Sequence, residues 1–185
     1  MAVLKFRVSL EEDEAVYRDI AIIHKQKFDQ LHYTILKSWE FDNKHAATFF
    51  RSNDNWQRGR EISFEVYNKE YVAPPLLMSE TTIGSEVKET NQKFIYQYDF
   101  EKKWTFLIEL IGIEKDENIR LDYPCVTRVE GIGPPQYGTK TILGDRFTDI
   151  EEKYDLQKGT EGFVEEDEDG NDVGAEQSEE ETEDF

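Results

Sequence analysis

Apolar and polar residues alternate from the start of the chain. Leu4, Phe6, Val8 and Leu10 are interleaved with Lys5, Arg7, Ser9 and Glu11, the period of two expected of a half-buried strand. The polar run Glu11–Glu14 turns the chain. Val16–Ile23, with Ile20 and Ile22 on one face, then reads as a second strand paired with the first. The period changes next: Phe28, Leu31, Ile35, Leu36 and Trp39 mark one face of a helix from about Phe28 to Glu40. Asp29 sits in its first turn, where it suits the helix dipole, and Asn43 is the expected C-terminal cap. His45–Ser52 is expected as a third strand, and Ile62, Phe64 and Val66 as a fourth.

The strongest strand signal comes later. Phe94, Tyr96, Tyr98 and Phe100 alternate with polar or smaller residues, Glu101-Lys102-Lys103 makes a bend, and Trp104, Phe106, Ile108 and Leu110 alternate again. This is a hairpin with one aromatic-rich face. Thr82–Val87 is expected as a short helical turn, Tyr123–Glu130 as a last short strand, and Asp145–Leu156 as a short helix. Gly131-Ile132-Gly133-Pro134-Pro135 excludes regular structure. A hairpin, then a helix, then more strands indicates an α+β fold, a β-grasp-like mixed sheet crossed by one main helix, with extra strands. The expected core includes Leu4, Phe6, Val8, Ile20, Ile22, Leu31, Ile35, Tyr96, Phe106 and Ile108.

Charge divides the chain. The formal net charge is -19, but thirteen of the 41 acidic residues and none of the 22 basic ones lie after Thr160. That stretch has almost no apolar area to offset the cost of ordering it, so residues 1–158 are expected to form one domain and 159–185 a disordered acidic tail. Within the tail, Glu165, Asp167, Asp169, Gly170 and Glu176 match the spacing of a calcium loop. The match lacks flanking amphipathic helices and reads as a solvated acidic run.

The chain has 185 residues, enough for one sizeable core. Its twelve Phe, nine Tyr and three Trp argue against disorder throughout. No run approaches the ~18 apolar residues of a membrane span, and the N-terminus lacks the apolar stretch of a signal peptide. One cysteine, Cys125, excludes an intramolecular disulfide and fits a cytoplasmic setting; its flanks suggest a buried small side chain. The acidic balance opposes unspecific nucleic-acid binding.

The blocks Leu31-His32 with Ile35, Phe41-Asp42-Asn43 with His45 and Phe49, Tyr96-x-Tyr98-Asp99-Phe100 with Trp104, and Tyr123-Pro124-Cys125 occur in the order of the plasmid pRiA4b ORF-3-like family, which the chain resembles over roughly residues 1 to 138. The resemblance implies an α+β fold. Members are sometimes labelled passengers of bacterial mobile elements, and no established activity comes with the name. The chain departs from the pattern at two places. Glu101-Lys102 stands where many members carry Gly-Asp, and Gln136-Tyr137-Gly138 where many carry an acidic pair and a double glycine.

Three histidines could carry chemistry, but no HxH, HxxxH or CxxC spacing supports a metal site, and no cofactor motif is present. The expected role is a non-enzymatic protein-interaction module. Two alternatives stand beside it. One is an enzyme of hydrolase or metal-dependent type using His32, His45 and Asp99. The other is a nucleic-acid-associated protein using Arg51, Trp56, Arg58 and Arg60, where cations interleave with aromatics.

Overall fold

The computed structural model describes residues 1–137. Eight strands form one sheet in the order β5-β4-β3-β6-β7-β1-β2-β8. They are β1 (Val3–Leu10), β2 (Tyr17–Ile23), β3 (Ala47–Ser52), β4 (Glu61–Ser63), β5 (Leu76–Leu77), β6 (Lys93–Tyr98), β7 (Trp104–Glu114) and β8 (Cys125–Glu130). The helices are α1 (Phe28–Ser38) and the short α2 (Ile83–Glu86). All neighbours are antiparallel except β4 and β5. The fold is a mixed sheet with few helices, broadly α+β.

Alternation along the strands produces the core. Phe6 pairs with Ile20 on one side and Leu110 on the other, Phe94 with Ile108, Tyr96 with Phe106, and Tyr98 with Trp104. Their side chains share one sheet face, on which Phe28, Leu31, Ile35 and Leu36 of α1 and Trp39 at its C-terminal end pack in a single buried cluster. Every expected core residue is buried. The other face carries a smaller cluster of Phe50, Ile95 and Leu107, with Trp56 against it.

Local geometry corrects several boundaries. α1 stops at Ser38, and Trp39 rather than Asn43 caps it, because Trp39 N–H reaches back to Ile35 O and Glu40 N–H to Lys37 O. Glu40 then adopts φ 58 and Phe41 N–H bonds Leu36 O at 2.8 Å, so the chain reverses and leaves Asn43 free to serve elsewhere. β3 begins at Ala47, not His45. β4 ends at Ser63, and Val66 is exposed, so the period-two run there extends past the strand. β6 ends at Tyr98, because Asp99 takes φ 56. Cys125 is half-buried, at the start of an edge strand, not in the core. The helix expected at 145–156, the boundary at 158 and the calcium-loop match lie outside the described residues. Among the described residues, no helix is long and apolar enough to cross a membrane.

Candidate functional site

The loop after α1, the β6–β7 turn and the segment 131–137 meet around Asp42. Gln136 clasps this residue twice: Asp42 N–H donates to Gln136 Oε1 at 2.7 Å, and Gln136 Nε2 donates to Asp42 Oδ1 at 2.8 Å. The Tyr137 hydroxyl donates to Asp42 Oδ2. The Tyr98 hydroxyl donates to Asp42 O and stands 3.0 Å from Oδ1. Burial pushes the Asp42 carboxyl up, but the hydrogen bonds from Tyr137, Gln136, Tyr98 and Lys44 N–H prevail and hold it well below the usual carboxylate range. Burial, then the bond to Asp42, pushes the Tyr98 hydroxyl up to about 12.

His45 and Asp99 belong to this cluster. His45 Nε2 lies 3.1 Å from the Tyr137 hydroxyl, and Nδ1 lies 3.6 Å from Asp99 Oδ2. Asp99 Oδ1 accepts the N–H groups of Glu101 and Lys102, which fixes the β6–β7 turn. The carboxylate thus holds the turn on one oxygen and faces the imidazole with the other. A cleft of about 670 Å³ opens beside Asp42, lined by Arg18, Trp39, Glu40 and the 132–137 segment. Among the described residues no group of three or more His, Cys, Asp and Glu is arranged to hold a metal ion.

His32 is not part of the cluster. It is fully buried on α1, with Nε2 at 2.8 Å from Asn43 Oδ1 and Nδ1 at 2.7 Å from the Tyr96 hydroxyl. The amide oxygen only accepts, so Nε2 carries the proton and Nδ1 accepts from Tyr96. Burial, only partly offset by Asn43, lowers the imidazole pKa. Both nitrogens are spent on holding the α1–β3 loop to the sheet.

The cationic candidates separate. Arg51 pairs with Glu86 at 3.0 Å. Trp56 packs on the Phe50 cluster, and the Lys93 ammonium lies 4.9 Å from its ring centre. Arg58 stacks 5.0 Å from the Phe50 ring and, with Arg60, Lys69 and Tyr71, lines a cleft of about 510 Å³.

Three features were missed by sequence reasoning. One is the clasp of Gln136 and Tyr137 on Asp42, which in the Gln136 bonds joins positions 94 residues apart and leaves no local signal. Another is Arg18, 5% exposed, whose Nε bonds Ser38 O and whose Nη1 bonds Tyr17 O and Glu130 O while the guanidinium stacks 4.4 Å from the Trp39 ring. A cation two residues before Ile20, on the core face, was the available signal. The last is the position of β8, a strand the sequence did indicate: among the described residues it is an edge of the sheet, five of its six residues are exposed, and an apolar groove of about 510 Å³ runs between it and α1, lined by Tyr33, Lys37, Pro124, Val126 and Val129. The departures from the family pattern also meet in space, since Lys102 Nζ bonds Gln136 O at 3.3 Å and lies 4.8 Å from the Tyr137 ring centre.

The family model described as plasmid pRiA4b ORF-3-like protein matches residues 2–138. The fold resembles the crystal structure of a protein of unknown function from Methanosarcina mazei Go1, with TM-score 0.62 and 19% identity, over 88% of this chain and 84% of that one. No curated protein sequence matches the chain.

Proposed function

The chain belongs to the plasmid pRiA4b ORF-3-like family, and we propose that it is a non-enzymatic protein-interaction module whose contact face is the β8 edge with the α1 groove beside it. The carrying observation is that edge. Six residues of strand, without Lys or Pro, end the sheet among the described residues with Val126 and Val129 exposed, and strand edges of this kind invite pairing with another chain. The groups around Asp42 are bonded to one another, which suits a latch that holds segment 131–137, and so the end of β8, in place. In this reading the opening hairpin and the helix across one face are β-grasp-like, and the lone Cys125 fits action in the cytoplasm.

The test replaces Val129 by a photo-crosslinking amino acid in the full chain, with Arg58 as the control position, and irradiates a lysate of the source organism. Adducts of defined protein mass from position 129, lost when Val126→Glu is added, support the reading. Absence of protein adducts at 129 overturns it. A second reading rests on Arg58, Arg60 and Lys69 around Phe50 and Tyr71: a nucleic-acid contact would weaken steeply between low and physiological salt.

A further inference from the structure

Resting on that reading, we infer that the occupant of the β8 edge is β8 of a second copy of this chain. The argument begins with register. Arg18 faces Val129 across the β2–β8 ladder, so Val129 lies on the α1 face; Arg128 and Glu130 face Asp19 and Tyr17 and lie on the opposite one. A two-fold axis perpendicular to the sheet, midway between the Val129 residues of two copies, makes an antiparallel pair of β8 strands. Val129 then stands opposite Val129, and Arg128 opposite Glu130 of the second copy, twice by symmetry.

The pattern base–apolar–acid therefore meets its own reverse. A foreign strand would have to supply acid–apolar–base at the same spacing, which this chain already carries. Val129 is 61% exposed, and the exposed Val126 and Ile132 lie toward the two ends of the seam. Within one copy Arg128 and Glu130 approach to 3.1 Å and the Arg128 guanidinium lies 5.6 Å from the Tyr17 ring centre, so pairing across the seam exchanges this contact within one copy for two between copies. Pairing joins the two sheets into one and sets the two α1 grooves on the same side of the seam.

A seam of about six residues is small beside the roughly 1,200–2,000 Å² of a stable interface. The net charge of -19 on each copy opposes association further. The dimer is therefore weak and in equilibrium with monomer.

Sedimentation velocity on the full chain in about 0.15 M salt, from about 1 µM to about 1 mM, tests this. The wild type should shift from monomer to dimer across the range. Arg128→Glu and Glu130→Arg each place like charges across the seam and should weaken the dimer roughly tenfold. Both positions are exposed, so each variant should melt like the wild type. An equimolar mixture of the two variants should dimerise where neither does alone, and the double swap should recover wild-type association. A wild type that stays monomeric overturns the inference, as does a dimer indifferent to the swaps or a mixture that fails to associate. Crosslinks from position 129 separate the cases: adducts of two copies agree with self-pairing, adducts with a different protein retain the contact face but refute self-pairing, and no protein adducts refute both.

Discussion

Both His32 and His45 lie against the ring of Tyr98, with centroids 6.5 and 5.7 Å away, yet they do different work. His32 is a buried neutral strut. Its lowered pKa means that the folded state resists protonation, so its contribution is fully present above about pH 6.5 and is lost as pH falls through the folded value. Nitrogen NMR should show the Nε2–H tautomer at pH 7, with titration below the ordinary histidine range. His32→Ala should cost about 1–3 kcal/mol in chemical denaturation, since it strands the buried Tyr96 hydroxyl. Asp42 behaves as a depressed carboxylate: its stabilisation is present above about pH 4, the unfolded value, and is lost as pH falls through the lower folded value. Asp42→Asn should therefore lower the denaturation midpoint at pH 7, and the gap to wild type should shrink in acid; a constant gap would refute the role. The histidines stood out in the sequence as reactive types. Two of their hydrogen-bond partners did not, because Tyr96 arrives from a distant strand and Tyr137 from a distant loop.

At the scale of elements, alternation was a reliable guide wherever one strand face is buried. β1, β2, β6 and β7 lie where the period of two placed them, because a slip of one residue would turn every apolar side chain to solvent. Ends were less legible. The helix pattern ran on to Glu40, where a left-handed backbone that no residue type announces stops it. The pattern in Ile62, Phe64 and Val66 reports only three residues of strand, as Phe64 packs on the core from outside the ladder. Ile35 and Phe106 bind the two layers, and both are fully buried. Truncation of either to Ala should cost about 2–5 kcal/mol in denaturant titration, a large part of a typical 5–15 kcal/mol. Gly131 ends β8 at φ 73, and an added Cβ would lie 2.9 Å from Val16 Cγ2. Gly131→Ala should loosen segment 132–137 and speed its amide exchange, while β6 and β7 remain protected.

At the scale of the whole molecule, the sheet has two unlike edges among the described residues. One is β5, two residues long; the other is β8, with six residues and an apolar groove behind it. The strand was visible in the sequence, but its position at the edge was not, since strand order depends on pairings between segments far apart in the chain. The candidate chemistry shows the same division. His45 and Asp99 converge, while His32 and the Arg51–Arg60 cations go to structural pairings and to a separate cleft. The proposed pairing of β8 with a second copy of the chain is tested most directly by amide exchange. Full-length chain should be compared at about 5 µM and about 500 µM. Slowed exchange confined to residues 125–131 at the higher concentration, with β5 unchanged, is the expected result. Exchange at β8 that is indifferent to concentration, together with new protection elsewhere on the sheet, would contradict it.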